Sequence, residues 1–422
     1  MPASIRRTRV WMWVLPLSVL HAQDEALGAK DMIRALVDSN PEIRAARARF
    51  EASTKRPSQA GAMPDPKLSY TNLGVGHPWS RLNGSDFAYQ GIGLSQELPF
   101  PGKLGLASEE AKRESEAEQQ NYIAVVRDVS SRLKVAYLEW LAAQRAIEVT
   151  RKKGDLLSRF EEIARNRYAV GRALQADVLK AQLEVATRDQ EIAMLEEQGL
   201  RAEAEIASLL ARPSVRLASP REIQPSALAE SLDDLLKAAA DSPRIRLEQR
   251  MVDARAVGIT RSQKDFRPDL GVNFQWQHTG GNFPDYYMAA VEVKIPIHYS
   301  RKQRFALEEA YARMDEAKQN YRSAQQQAIF QVKEQYLAAQ RSERVMNLYK
   351  TTLLPQASLT VDSSTAAYET GAGDFLSLIT NLTAMTDLQR QYSDEVIRHE
   401  QALARLEPLV GKELVSFEEV AK

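Results

Sequence analysis

The sequence predicts a mainly α-helical chain with a small β part, built as two copies of one domain-sized unit that each supply two strands. Three observations carry this. Short motifs recur about 200 residues apart in unchanged order; long proline-poor runs rich in Ala, Glu, Lys and Arg fill both halves; and one stretch in each half replaces that texture with Gly, Asn and aromatics. A period this long lies far outside the range of solenoid repeats, so whatever one half builds, the other builds beside it.

The duplication is read residue by residue. Asn40-Pro41-Glu42-Ile43-Arg44 returns as Ser242-Pro243-Arg244-Ile245-Arg246, and Pro66 and Leu68 return as Pro268 and Leu270. Leu98-Pro99-Phe100 matches Ile295-Pro296-Ile297, Glu110-Ala111 matches Glu309-Ala310, and Tyr168-x-x-Gly171 matches Tyr368-x-x-Gly371. Five segments follow: 1–22 a signal peptide, 23–212 the first repeat, 213–240 a linker, 241–411 the second repeat, and 412–422 a tail. The signal rests on Arg6, Arg7 and Arg9, the apolar run Val10 to Leu20 and the small Ala22. Leu20 at the −3 position is bulkier than usual, which leaves the cut site open.

Composition removes several function classes. Basic and acidic residues number 56 each, and no basic stripe stands out, which excludes a nucleic-acid partner. With no cysteine there is no disulfide framework, thiol nucleophile, thiolate metal site or acylatable N-terminal Cys. Past the signal no run of 18 apolar residues exists, so no transmembrane helix is expected. An exported chain of this kind is either soluble outside the cytoplasm or a β-barrel protein of an outer membrane.

In each half the predicted order is helix, two strands, long helix, long helix. Pro41 to about Met63 is helix-compatible with a kink at Pro57, and Pro64-Asp65-Pro66 ends it. Strands are expected near Leu68 to Leu73, at Ile92 to Leu98, at Leu270 to Gln277 and at Tyr287 to Ile295. The third is the cleanest: Leu270, Val272, Phe274 and Trp276 alternate with Gly271, Asn273, Gln275 and Gln277. Strands of this length with aromatics near their ends have the signature of membrane-spanning strands, one face fit for lipid and the other for water. Four strands cannot close a membrane barrel, and open edges are not tolerated in lipid. Subunits that pool them reach eight in a dimer or twelve in a trimer.

The remainder is helix. Leu104 to Asn166 lacks proline and spaces Tyr122, Val126, Val129, Leu133, Ala136 and Trp140 by threes and fours, for a span of about 95 Å. The return helix, Ala173 to Ala211, is too short to match it alone, but stacked end to end with the helix before the strands it matches well. In the second half the long run from Arg301 to about Ala366 is broken only at Pro355. Ala-rich, two-sided helices with small seam residues favour packing on both flanks, as in a ring.

These residues carry a family likeness. Glu97-Leu98-Pro99-Phe100-Pro101-Gly102-Lys103-Leu104 resembles the strand-to-helix junction of TolC-like outer-membrane efflux proteins. Tyr168-Ala169-Val170-Gly171, followed by Asp177-Val178-Leu179-Lys180-Ala181-Gln182, is similar to that family's hairpin tip, and Tyr368 to Leu382 is its second copy. The Pro-Phe-Pro-Gly-Lys wording resembles the heavy-metal branch typified by CzcC and CusC. The resemblance implies a homotrimer: a twelve-stranded barrel in outer-membrane lipid, four strands per chain, joined to an α-helical barrel of long coiled-coil hairpins that extends through the periplasm of a Gram-negative cell. It further implies a passive exit duct docked to a periplasmic adaptor (membrane fusion protein) and an inner-membrane RND-type pump, with no cofactor and no catalysis.

Within that resemblance, Leu270, Val272, Phe274 and Trp276 face lipid, and Tyr168, Gly171, Arg172 and Gly371 meet the adaptor. Asp177 and Tyr368 belong to links that hold the tip closed, with Asp374 nearby. The alternative role for Asp177 is to cap a helix. Two departures stand out: the family's acylated Cys is impossible here, and Ser377 and Thr380 occupy places where some members carry acidic residues. The histidines His77, His278, His298 and His399 are scattered without metal-ligand spacing. The competing function is a periplasmic coiled-coil adaptor or scaffold whose sheet buries its aromatics, and a duct for drugs or other organic cargo is a variant of the leading one.

Overall fold

Helix-forming runs and alternating strands fold as their periodicities dictate, and the result is one row of very long helices ending in one small sheet. The computed structural model describes residues 29–74, 87–218, 224–280 and 283–415; the signal segment, Trp79 and His77 lie outside them. In chain order the elements of the first half are α1 (Ala29–Ser39), α2 (Pro41–Ser53), α3 (Arg56–Ala60), β1 (Lys67–Leu73), β2 (Tyr89–Leu98), α4 (Lys103–Ala169) and α5 (Gln175–Leu209). The second half holds α6 (Leu232–Ala239), α7 (Pro243–Lys264), β3 (Asp269–His278), β4 (Tyr286–Lys294), α8 (Gln303–Leu348), a π-helical turn (Tyr349–Leu353), α9 (Leu354–Thr370) and α10 (Phe375–Val410).

The long helix α4 has 67 residues. On one flank it packs against α2, α3 and α5, and on the other against α7 and α10, which in turn pack against α8. The row therefore ends in α2, α3 and α5 on one side and α8 and α9 on the other. The end-to-end stacking has a specific joint. Asn40 caps α2 by accepting from the Glu42 and Ile43 N–H groups at 2.8 and 3.0 Å, and its amide donates to the Leu209 carbonyl at the end of α5 at 2.8 Å. One buried side chain thus satisfies orphan groups of two helix termini.

Prolines act differently from the sequence expectation. The break near Pro57 falls earlier, at Thr54-Lys55, and Pro57 sits in the first turn of α3, where its missing N–H costs nothing. At Pro355 the run does not break. The helix widens into the π turn Tyr349–Leu353 and continues, which removes the clash between the pyrrolidine ring and the carbonyl one turn back. Two helices were not foreseen. In α1, Met32 and Leu36 fall one turn apart and are buried against Ile43 and Leu133. In α6, within the span read as linker, Leu235 and Ala239 do the same against Val332 and Leu403.

The sheet is an antiparallel meander in the order β1-β2-β3-β4. Tyr70 stands opposite Ile92, Ile92 opposite Trp276, and Trp276 opposite Tyr287. Such register keeps one apolar face continuous across all four strands. Inside the chain, β1 and β4 each leave one edge unpaired.

Candidate functional site

Two regions bring the sequence-predicted residues together, at opposite ends of the long helices. The first is the outward face of the sheet. Along β3 exposure alternates strictly, with Leu270, Val272, Phe274 and Trp276 on the exposed face and Gly271, Asn273, Gln275 and Gln277 on the other. Leu68 and Tyr70 of β1, Ile92 and Leu94 of β2, and Tyr287, Val291 and Val293 of β4 extend that face. Phe274 stacks on Tyr287 with ring centroids 6.4 Å apart. The opposite face is polar and tightly filled: a Cβ at Gly91 would meet the Trp276 carbonyl oxygen at 2.8 Å. Lys294 reaches Glu97, two strands away, at 3.1 Å.

The face does what the composition of a soluble domain avoids, exposing a contiguous apolar patch beside two open edges. No helix among the described residues is long and apolar enough to cross a membrane.

The second region is the pair of helical turns α4–α5 and α9–α10. Both close with a glycine in the left-handed region, Gly171 at φ 72° and Gly371 at φ 83°. A side chain at either φ would be strained, which explains the shared Tyr-x-x-Gly wording. Arg172 N–H bonds to the Arg167 carbonyl at 2.8 Å, and Ala372 N–H to the Ala367 carbonyl at 2.9 Å. Between the turns runs a groove lined by Asn166, Arg167, Arg172, Glu369 and Gly371.

Asp177 lies in the first turn of α5, where its carboxylate accepts from the Leu174 N–H at 3.3 Å. Asp374 caps α10, accepting from the Ser377 N–H at 2.7 Å and the Ser377 hydroxyl at 2.8 Å. These bonds hold the Asp374 carboxyl below its usual range. The Thr380 hydroxyl is turned onto the Leu376 carbonyl at 2.8 Å.

Tyr368 is buried in a cluster with Leu157, Phe160, Phe375 and Leu378. Its ring lies 5.5 Å from that of Phe375. The Arg167 guanidinium sits 4.6 Å over the Tyr368 ring and donates to the Tyr368 carbonyl. The Tyr368 hydroxyl is buried without a geometric hydrogen-bond partner among the described residues. Burial raises its pKa; the Arg167 charge opposes the shift, and the Asp177 carboxylate adds to it. Asp177 and Tyr368 thus feel each other electrostatically within one chain without a hydrogen bond between them. The residue that sequence reasoning missed is Arg167, although it directly precedes Tyr168 in the motif. Its counterpart in the second copy is Ala367, so the duplication itself hid it.

No group of His, Asp and Glu suited to a metal ion occurs among the described residues. Both ring nitrogens of His399 face backbone carbonyls, of Ala339 at 3.1 Å and Ser226 at 2.8 Å, and His278 pairs with Asp285 at 2.6 Å. The best-buried ion pair, Lys134 with Glu407 at 2.8 Å, fastens α4 to α10.

Comparison with known proteins agrees with this geometry. The family model for outer membrane efflux proteins matches residues 32–212 and 235–412, both repeats. The cobalt-zinc-cadmium resistance protein CzcC of Cupriavidus metallidurans is 23% identical over 324 residues, 75% of each chain. Among solved structures, CusC superposes with a TM-score of 0.78 at 16% identity, covering 90% of this chain and 91% of that one. The outer-membrane channel OprN gives 0.78 at 16%, covering 91% and 89%. The mostly helical architecture with its four-stranded sheet is the TolC-like channel fold. With most of its length matched by the family model, the chain belongs to the outer membrane efflux protein family.

Proposed function

We propose that three copies of this chain form a passive exit duct in the outer membrane of a Gram-negative cell. The duct carries heavy-metal cations for an inner-membrane RND-type pump, to which a periplasmic adaptor joins it. The observation that carries the reading is the sheet: an exposed apolar face on four strands, with two edges that lipid would not tolerate. Three chains supply twelve strands, and an even number per chain keeps the antiparallel alternation across every seam. The helices support the same assembly, because exposed apolar side chains lie on both ends of the row: Leu179, Leu183 and Leu200 on α5, Phe305, Phe330 and Leu337 on α8. Residues 23–212 and 241–411 are then two quasi-equivalent staves of one barrel, joined by 213–240.

The tips, with Tyr168, Gly171, Arg172 and Gly371, are the adaptor's docking site, and Asp177 with Tyr368 biases them closed. The chain has no cysteine. A single Cys introduced at Arg172 or Gly371 should therefore cross-link to the adaptor, whereas cross-linking only from the opposite, strand-loop end would reverse the orientation. The metal cargo rests on the likeness to the cobalt-zinc-cadmium resistance protein. In a strain lacking the chain, tolerance to cobalt, zinc and cadmium should fall and return on complementation; loss of tolerance to organic toxicants alone would make it a drug duct.

The decisive experiment is on the sheet. Phe274→Asp or Trp276→Asp should block membrane assembly, since a charge on the lipid face costs up to about 2 to 4 kcal/mol near the bilayer middle, somewhat less for Asp. Gln275→Asp should be tolerated. Equal tolerance at Phe274 and Gln275 would favour the periplasmic adaptor or scaffold reading.

A further inference from the structure

Ser226 lies in the irregular segment between the two repeats, and two consecutive side chains of α10 hold it. The Glu400 carboxylate accepts from the Ser226 N–H at 2.6 Å and from the Ser226 hydroxyl at 3.0 Å. Nε2 of His399 faces the Ser226 carbonyl at 2.8 Å, and Nδ1 faces the Ala339 carbonyl of α8 at 3.1 Å. His399 and Glu400 are each 1% exposed, which leaves water almost no share in these contacts.

A carbonyl oxygen only accepts, and a neutral imidazole carries a single N–H. With one proton the ring satisfies one of the two carbonyls and sets a bare lone pair against the other. With two protons it donates to both. Charge leads to the same assignment, because Glu400 has no Lys or Arg partner among the described residues. Burial pushes the Glu400 carboxyl up, and the Ser226 bonds and a charge on His399 oppose that shift.

The other charges packed around this point are already matched. On α10, Glu395 pairs with Arg398 at 2.7 Å and with Arg341 of α8 at 3.2 Å. Glu407 pairs with Lys134 of α4 at 2.8 Å. Ahead of α6, Glu230 pairs with Lys412 at 2.7 Å, and within α6 Asp234 lies 3.7 Å from Lys237, while Asp233 is exposed. His399 is left as the cation for Glu400.

We infer that His399 is held as the imidazolium and works as a proton-operated latch, fastening the segment between the repeats to α8 and α10. The second proton comes from solvent and returns to it; when it leaves, one of the two ring bonds is lost. Folding offers the doubly protonated ring two acceptors that the unfolded chain lacks. The latch is therefore complete in mild acid and weakens as pH rises through the imidazole range. The raised Glu400 carboxyl acts in the same direction, at lower pH. The tie between the repeats thus depends on the pH around the chain.

Hydrogen exchange of residues 224–231 tests this in the full-length chain, once corrected for the intrinsic pH dependence of exchange. Protection should fall about tenfold between about pH 6 and about pH 8, the loss of one bond made by a charged donor. His399→Gln, whose amide donates without titrating, should flatten that decline. Nitrogen NMR of labelled histidine in the unmutated chain gives a second readout that no folding defect can obscure. At a pH where the exposed His298 has become neutral, both ring nitrogens of His399 should still show the protonated signature. A neutral His399 ring under those conditions would overturn the latch. So would protection that does not change with pH, or a decline of equal steepness in His399→Gln. These readouts depend on neither trimer nor cargo, so their failure would leave the exit-duct reading standing.

Discussion

At the first hairpin tip Tyr168 is 46% exposed, while at the second its counterpart Tyr368 is 4% exposed. The backbone is shared: each turn has its left-handed glycine and a hydrogen bond from the glycine N–H to the tyrosine carbonyl, at 2.9 and 3.1 Å. What differs is the company. Tyr368 is closed in by Phe375 and by Arg167, the latter contributed by the first tip. Where Arg167 stands in the first copy, the second has Ala367. The caps are exchanged as well. In α5 the carboxylate of Asp177 reaches back to the preceding turn, and in α10 that of Asp374 reaches forward into the first turn. Both place negative charge at a helix N-terminus, where the macrodipole favours it. Duplication has preserved the turn chemistry while the side chains have diverged, one tyrosine buried and one exposed.

The largest effect should come from emptying the buried site. Tyr368→Ala leaves a cavity among Leu157, Phe160 and Leu378 and should destabilise the tip by about 3 to 5 kcal/mol, while Tyr168→Ala should stay within about 0.5 kcal/mol. Hydrogen exchange of the α9–α10 turn measures the first; equal losses at both tyrosines would erase the contrast between the tips.

A smaller effect is expected from the proposed closing link. A shielded hydrogen bond from the Tyr368 hydroxyl to Asp177 in the assembled ring would contribute roughly 1.5 to 3 kcal/mol, less if wet. Asp177→Ala combined with Tyr368→Phe should then raise single-channel conductance in planar bilayers with the trimer intact. Unchanged conductance would leave Asp177 as the cap of α5 alone.

The smallest effect is a pH slope. Because burial raises the Tyr368 pKa, the folded tip holds this proton more tightly than the unfolded chain does. Its contribution is fully present below the ordinary tyrosine value near about 10 and is lost as pH rises through the folded value. Tip protection should fall in strongly alkaline buffer, and Tyr368→Phe should flatten that decline. A decline of the same steepness in the variant would assign it to other groups.

The duplicated sheet was legible because its signal is local. Alternation at Leu270 to Gln277 fixes which side chains share a face whatever lies beside them, and the structure keeps that alternation residue for residue. The long helices and their turns were legible for the same reason: periodicity, absence of proline, and Tyr-x-x-Gly. Short helices α1 and α6 were missed because each owes its existence to one turn of apolar residues whose partners, Leu133 and Val332, are distant in sequence. Pro355 reads as a break in one dimension, but packing of the long helix on α7 and α10 favours a local π turn over a bend.

Taken by itself, the sequence determined the repeat, the order of elements, the apolar face of the sheet and the two glycine turns, because each is set by neighbours along the chain. Only the tertiary structure decided that Arg167 covers Tyr368, that Asn40 bonds the end of α5, and that Lys103 is clamped by Asp269. Those pairings join residues far apart in sequence, and their energy depends on distance and burial, which exist only once the helices have packed.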